Sequence, residues 1–236
     1  MHQPPLATAA TAIIIPADIP DSMDGTVEGT EYHIAKNRLE TLVDGIFAIA
    51  MTLLVLTINI AKPAAEDAPR VLPVILAGVL PQIFTLVLAF FILAFFWHGH
   101  HRQFHFVRTV DPVLLWITIF MLITIVLVPF TTDIAGDYSG IEAAVLPFHL
   151  NILLVGLVYS LHWKYICASP QLCSPVPDQR VAKVWSRETT VIPVVALIGA
   201  VLSLLTPMGS LLVYLIAPAG WYLMRGNPSP SAAPVV

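Results

Sequence analysis

The stretch that decides the fold is Arg38–Ile60, RLETLVDGIFAIAMTLLVLTINI. It opens with Arg38, Glu40 and Asp44 and then turns into an almost unbroken apolar run. A helix crosses the bilayer core in about 20 residues at a 1.5 Å rise per residue, so the run is long enough to span. Asp44 lies in its first turns and Thr52 near its middle. A carboxylate or hydroxyl in hydrocarbon is costly unless it faces protein or water, which makes both candidates for function.

The rest of the chain has the same character. Of the 236 residues, 57% are hydrophobic and 11% charged, and the mean hydropathy is +0.83. A soluble domain carries about 25% charged residues. The composition therefore predicts an all-α integral membrane protein, with the lipid bilayer as its surroundings. Cys167 and Cys173 make no disulfide framework. No basic patch for nucleic acid, Walker loop, dinucleotide fingerprint or nucleophile–base–orienter arrangement is present, so neither an enzyme nor a nucleic-acid partner is expected. Residues 1–35 lack the basic start of a signal peptide and are broken by Pro4, Pro5, Pro16 and Pro20, so they read as a flexible tail.

Outward from Arg38–Ile60, hydropathy predicts six spans over about 40–60, 71–97, 113–130, 143–166, 189–206 and 209–224. Together, residues 36–225 would form one membrane domain, followed by a disordered tail over 226–236. The expected loops are 131–142, rich in Asp and Glu, and a Pro-rich stretch up to about 187. Six spans place both termini on one side. That side carries Lys36, Arg38, Arg102, Arg108, Lys164, Arg180, Lys183, Arg187 and Arg225, nine basic residues, against Lys62 and Arg70 on the other; nine plus two accounts for all eleven. The positive-inside rule then puts both termini in the cytoplasm. No later span duplicates the first, so a pore lined by it would need several copies of the chain.

At 3.6 residues per turn, Ile49, Thr52, Leu53 and Leu56 fall on one stripe of the first helix. Such a stripe serves either helix packing, with Thr52 bonded back to its own backbone, or a pore wall whose aliphatic rings exclude water. Asp44 lies on another side, with Arg38, His98, His101 and Arg102 as candidate partners in a structural network or a proton relay. The cluster His98-Gly99-His100-His101 with His105 raises the alternative of a proton-coupled or metal-cation transporter, although no Cys or close carboxylate joins it. No bound metal or other cofactor is expected. His149 and Asn151 in the fourth span predict interhelical hydrogen bonds.

Arg38-Leu39-Glu40, Asp44-Gly45-Ile46-Phe47-Ala48-Ile49-Ala50 and Thr52-Leu53-Leu54-Val55-Leu56 together resemble the signature of the prokaryotic branch of the transmembrane-175 potassium-channel family, approximately R-x-E-x-F-S-D-G-V-F-A-I-x-x-T-L-L-V-L. Trp97-His98, His101-Arg102, Phe104, Asp111, Leu115-Trp116 and Pro129-Phe130-Thr131 are also similar, so the likeness covers roughly 36–131. The resemblance implies a homotetramer in a prokaryotic plasma membrane, with six spans per chain. It also implies a central pore lined by the first helix, with potassium as the permeant ion. By position, the narrow isoleucine ring falls on Ile49, the selectivity threonine on Thr52, and further hydrophobic rings on Leu53 and Leu56. An Arg–His–Asp network beside the pore would fall on Arg38, Asp44 and His98 or His101. The sequence departs from the signature at Leu42-Val43, where the family has Phe-Ser; the lost serine removes a hydroxyl from the surroundings of Asp44.

Overall fold

The computed structural model describes residues 35–218. The expected tails and the last part of the sixth span, 219–224, lie outside the described residues. Within them the regular structure is helical, apart from an isolated bridge between Val107 and Cys173. Helix α1 (Lys36–Leu53) tightens into a 3-10 turn over Leu54–Thr57. It is followed by α2 (Ala68–Gly78), α3 (Leu80–Phe104), α4 (Pro112–Asp137), α5 (Glu142–Ala168) and α6 (Gln179–Ser203). A short α7 (Pro207–Ser210) runs on as a 3-10 helix over Leu211–Ile216.

By length and apolar composition, five segments can cross a membrane: Lys36–Thr57, Ala68–Phe104, Pro112–Asp137, Glu142–Ala168 and Gln179–Ser203. Pro207–Ile216 is apolar but shorter. The chain is thus a multi-pass membrane protein.

Several boundaries differ from the sequence expectation. The second span is two helices that meet at Val79, because Pro81 offers no N–H to the turn before it and restarts the helix from its own first turn. The third does not stop near 130: α4 continues through Pro129 to Asp137 and takes in more than half of the expected loop 131–142. Inside a membrane, ending a helix exposes backbone groups that lipid cannot satisfy, so a bent helix is cheaper than a broken one. Thr131 and Thr132 add hydroxyl bonds to the Val128 carbonyl at 3.1 and 2.7 Å. Helix α6 begins ten residues before the expected 189, at Gln179, because the Asp178 carboxylate accepts the Val181 N–H at 2.7 Å as an N-cap.

α5 is the centre of the packing, flanked by α4 and α6 and touched by α3. Phe148, Ile152, Val155 and Trp163 on it have no exposed surface. Small residues let α6 approach closely, as is usual between membrane helices. A Cβ at Gly156 would lie 2.7 Å from Cγ and Cδ of Pro193, and the Ser160 hydroxyl donates across to the Thr189 carbonyl at 2.9 Å. Both expected polar links of the fourth span form. His149 meets Ser210 Oγ at 2.7 Å and Tyr214 Oη at 3.0 Å, and Asn151 Nδ2 donates to Thr131 Oγ1 at 3.4 Å.

Candidate functional site: the open face of the first helix

α1 has two unlike sides. Leu39, Val43, Phe47, Ala50 and Leu54 are each no more than 2% exposed and pack against α3 and α4. The predicted stripe is turned away from that contact: Ile49 is 59% exposed, Leu53 41% and Leu56 73%, with Thr52 also exposed. Gly45 continues the open side, since a Cβ there would meet nothing within 4 Å. The burial of one face packs the helix against its own chain and leaves the stripe exposed among the described residues.

The Thr52 hydroxyl donates to the Ile49 carbonyl at 2.9 Å, the back-bond of an ordinary helix. That bond uses the proton and leaves the oxygen lone pairs pointing away from the backbone. A cation is attracted by those lone pairs, so the back-bond is compatible with ion contact rather than opposed to it.

Asp44 departs from expectation. Its Oδ1 accepts a hydrogen bond from Trp97 Nε1 at 2.9 Å, tying α1 to α3. Arg38 is exposed and makes no ion pair among the described residues, and His101 is exposed as well. His98 lies on the exposed side of α3, one residue beyond the tryptophan. Arg102 is used elsewhere, 3.5 Å from Glu188 of α6 and stacked over the Trp185 ring at 4.1 Å. The sequence signal for Trp97 was its indole N–H, which at a membrane boundary needs a polar partner.

The histidine cluster does not converge. His98, His101 and His105 are exposed, whereas His100 turns inward to stack on Phe104, with ring centroids 4.4 Å apart, and stands 5.1 Å from His162. Gln103 Oε1 accepts from His162 Nδ1 at 2.7 Å, so this is a packed seam between α3 and α5. Among the described residues no group of three or more His, Cys, Asp or Glu could hold a metal. Asp111 caps α4, accepting the Leu114 N–H at 2.8 Å, and also accepts the Tyr165 hydroxyl.

A sequence model of the family described as "Endosomal/lysosomal potassium channel TMEM175" matches residues 38–129, which contain α1, α3 and their Asp44–Trp97 link. A potassium channel of Streptomyces collinus is 30% identical over 152 residues, covering 62% of this chain and 71% of that protein. The chain belongs to the TMEM175 family. A TMEM175 protein of Homo sapiens, named an endosomal/lysosomal proton channel, is 24% identical, and the alignment takes in 100% of this chain and 49% of the human one. Against that human TMEM175 the chain therefore spans about half the length. Among solved structures, the TMEM175 homolog from Chamaesiphon minutus, titled a lysosomal potassium-selective channel, superposes with a TM-score of 0.68 at 23% identity, covering 81% of this chain and 98% of that one. The TMEM175 fold is thus shared across the described helices.

Proposed function

We propose that this protein is the subunit of a passive, potassium-selective channel. Four copies would turn the open face of α1 toward a common axis. The observation that carries the reading is the division of α1: one side is sealed against α3 and α4, and the other leaves Ile49, Thr52, Leu53 and Leu56 exposed among the described residues. Other exposed helix faces carry large aliphatic and aromatic side chains such as Phe91, Trp116 and Phe120, as lipid contact requires. The α1 stripe also carries aliphatics, but it sets the Thr52 hydroxyl among them with Gly45 on the same open side, which suits a narrow conduit. In the assembled channel Ile49, Leu53 and Leu56 form hydrophobic constrictions, and the Thr52 oxygens contact a partly dehydrated cation between them.

The family names and the neighbour's title support potassium as the permeant ion. Pro207–Ile216 belongs to the sixth span, and both termini lie in the cytoplasm of a cell whose plasma membrane holds the channel. Arg38 and Asp44 stand in the first turns of α1, His98 and His101 in the last turns of α3, and the Asp44–Trp97 bond ties the two helices at this cytoplasmic end. A proton relay through Asp44 is disfavoured by that partner, because an indole N–H does not exchange charge states near neutral pH.

The test is flux through purified protein in liposomes under bi-ionic potassium/sodium conditions. The channel reading expects potassium flux with no nucleotide or proton gradient, altered conductance in Ile49→Asn and reduced preference for potassium in Thr52→Val. Saturable uptake that needs a pH gradient and is lost in Asp44→Asn would overturn it in favour of a coupled transporter.

A further inference from the structure

The end of α1 opposite Asp44 is held by a side chain that no periodicity points to. Past Leu53 the helix narrows to one 3-10 turn, and the chain becomes extended at Ile58, with φ −88° and ψ 110°. The next residue, Asn59, donates its backbone N–H to Gln82 Oε1 at 3.1 Å. The other end of the same amide, Gln82 Nε2, donates to Asp137 Oδ1 at 2.7 Å. One side chain thus joins the end of α1 to the last residue of α4 from the first turn of α3. The close approach depends on Gly136: a Cβ there would lie 2.7 Å from Thr85 Oγ1 and 3.2 Å from Gln82 Cα.

We infer that Gln82 is a positioning residue for the pore, anchoring the outer end of α1 and thereby setting the place of the Leu56 collar. The inference rests on the channel reading above. Leu56 lies three residues before Asn59 and is 73% exposed. Aliphatic collars around a narrow aqueous axis attract one another once water leaves between them, so a collar stays apart only if the backbone behind it is held. On the packed side Leu54 and Thr57 hold the 3-10 turn, at 0% and 8% exposure. Beyond it, the Gln82 amide holds the extended segment at Asn59. An amide suits the task because it offers an acceptor and donors at one tip: the acceptor takes a backbone N–H and a donor meets a carboxylate.

The experiment compares Q82L, Q82E, D137N and D137L with the parent chain by two readouts, amide hydrogen exchange at Asn59 and potassium efflux from liposomes. Losing both bonds in Q82L releases Asn59 and lets the collar close; both bonds are solvent-exposed, so exchange at Asn59 rises about fivefold and efflux falls about fivefold, the size of two hydrogen bonds at the low end of their net contribution. D137N retains an oxygen that accepts from Gln82, so both readouts stay near the parent's. D137L removes one bond and moves both in the direction of Q82L, which keeps the test decisive if Q82L does not assemble. In Q82E two carboxylates oppose each other, so efflux falls as in Q82L although the side chain keeps its length. Parent-like exchange at Asn59 in Q82L would show that no anchor exists. Fast exchange with unchanged efflux would show that the anchor does not govern the pore. A parent chain that protects Asn59 yet passes no potassium would overturn the channel reading and leave the anchor in place.

Discussion

Replacing Trp97 by Phe should separate α1 from α3 at the point where the sequence suggested an ion pair. The change keeps an aromatic ring but removes the N–H that donates to Asp44 Oδ1 at 2.9 Å. A hydrogen bond to a charged group contributes about 1.5–3 kcal/mol when shielded, and the exposure of Asp44 brings the expected loss for W97F nearer 1–2 kcal/mol. D44N keeps an oxygen acceptor and should cost about 0.5 kcal/mol, because only the charge assistance is lost. The two changes act on one bond, so the W97F/D44N double variant should fall short of the sum of the single effects by about 0.5 kcal/mol, at the lower edge of what contacting pairs show. Since neither Arg38 nor His101 bonds to Asp44, R38M and H101Q should each move stability by less than about 0.5 kcal/mol, the usual range for exposed positions. The assay is unfolding of the purified protein in detergent, followed by the fraction that keeps its assembled mass. If R38M or H101Q were as harmful as W97F, or if W97F and D44N were strictly additive, the indole–carboxylate link would not be what holds the two helices there.

The two sides of α1 should respond oppositely to truncation. Phe47 is 0% exposed, so F47A should cost about 3–5 kcal/mol and reduce the yield of folded subunit, whereas I49A should leave subunit unfolding nearly unchanged and alter ion flux instead. A Cβ at Gly99 would lie 2.0 Å from Tyr159 Oη and 2.9 Å from Cζ, so G99A should destabilise the α3–α5 contact by about 1–3 kcal/mol. Adding Y159F removes the nearest atom and should return part of that loss in a thermal melt. No recovery would mean that the helices have moved apart rather than collided.

What was legible in the sequence followed from lipid as solvent. Long apolar runs had to be helices, and the 3.6-residue spacing put Ile49, Thr52, Leu53 and Leu56 on one stripe, but the period alone left open whether that stripe packs or stays open; the burial of Leu39, Val43, Phe47, Ala50 and Leu54 on the other side decides it. Less legible were places where a local signal competes with its surroundings. Pro129 reads as a stop, yet α4 passes through it because the membrane penalises unpaired backbone more than a missing hydrogen bond. The polar run Gln179-Arg180-Val181-Ala182-Lys183 reads as a loop, although Asp178 stood ready as the cap that begins α6. Least legible were links between distant residues. The separations of 53 positions from Asp44 to Trp97 and 55 from Gln82 to Asp137 have no period, and only the packing of α1, α3 and α4 brings each pair together.

Whether Ile49 and its neighbours face a water-filled axis can be settled by placing a cysteine at Ile49 or Val55 in a chain whose Cys167 and Cys173 are replaced by serine, then adding a charged thiol reagent during potassium current recording. The account predicts that I49C current is blocked and that V55C current, from a residue 61% exposed but off the stripe, is unaffected. Equal block at both positions, or block at Val55 alone, would mean that α1 turns a different side to the ions.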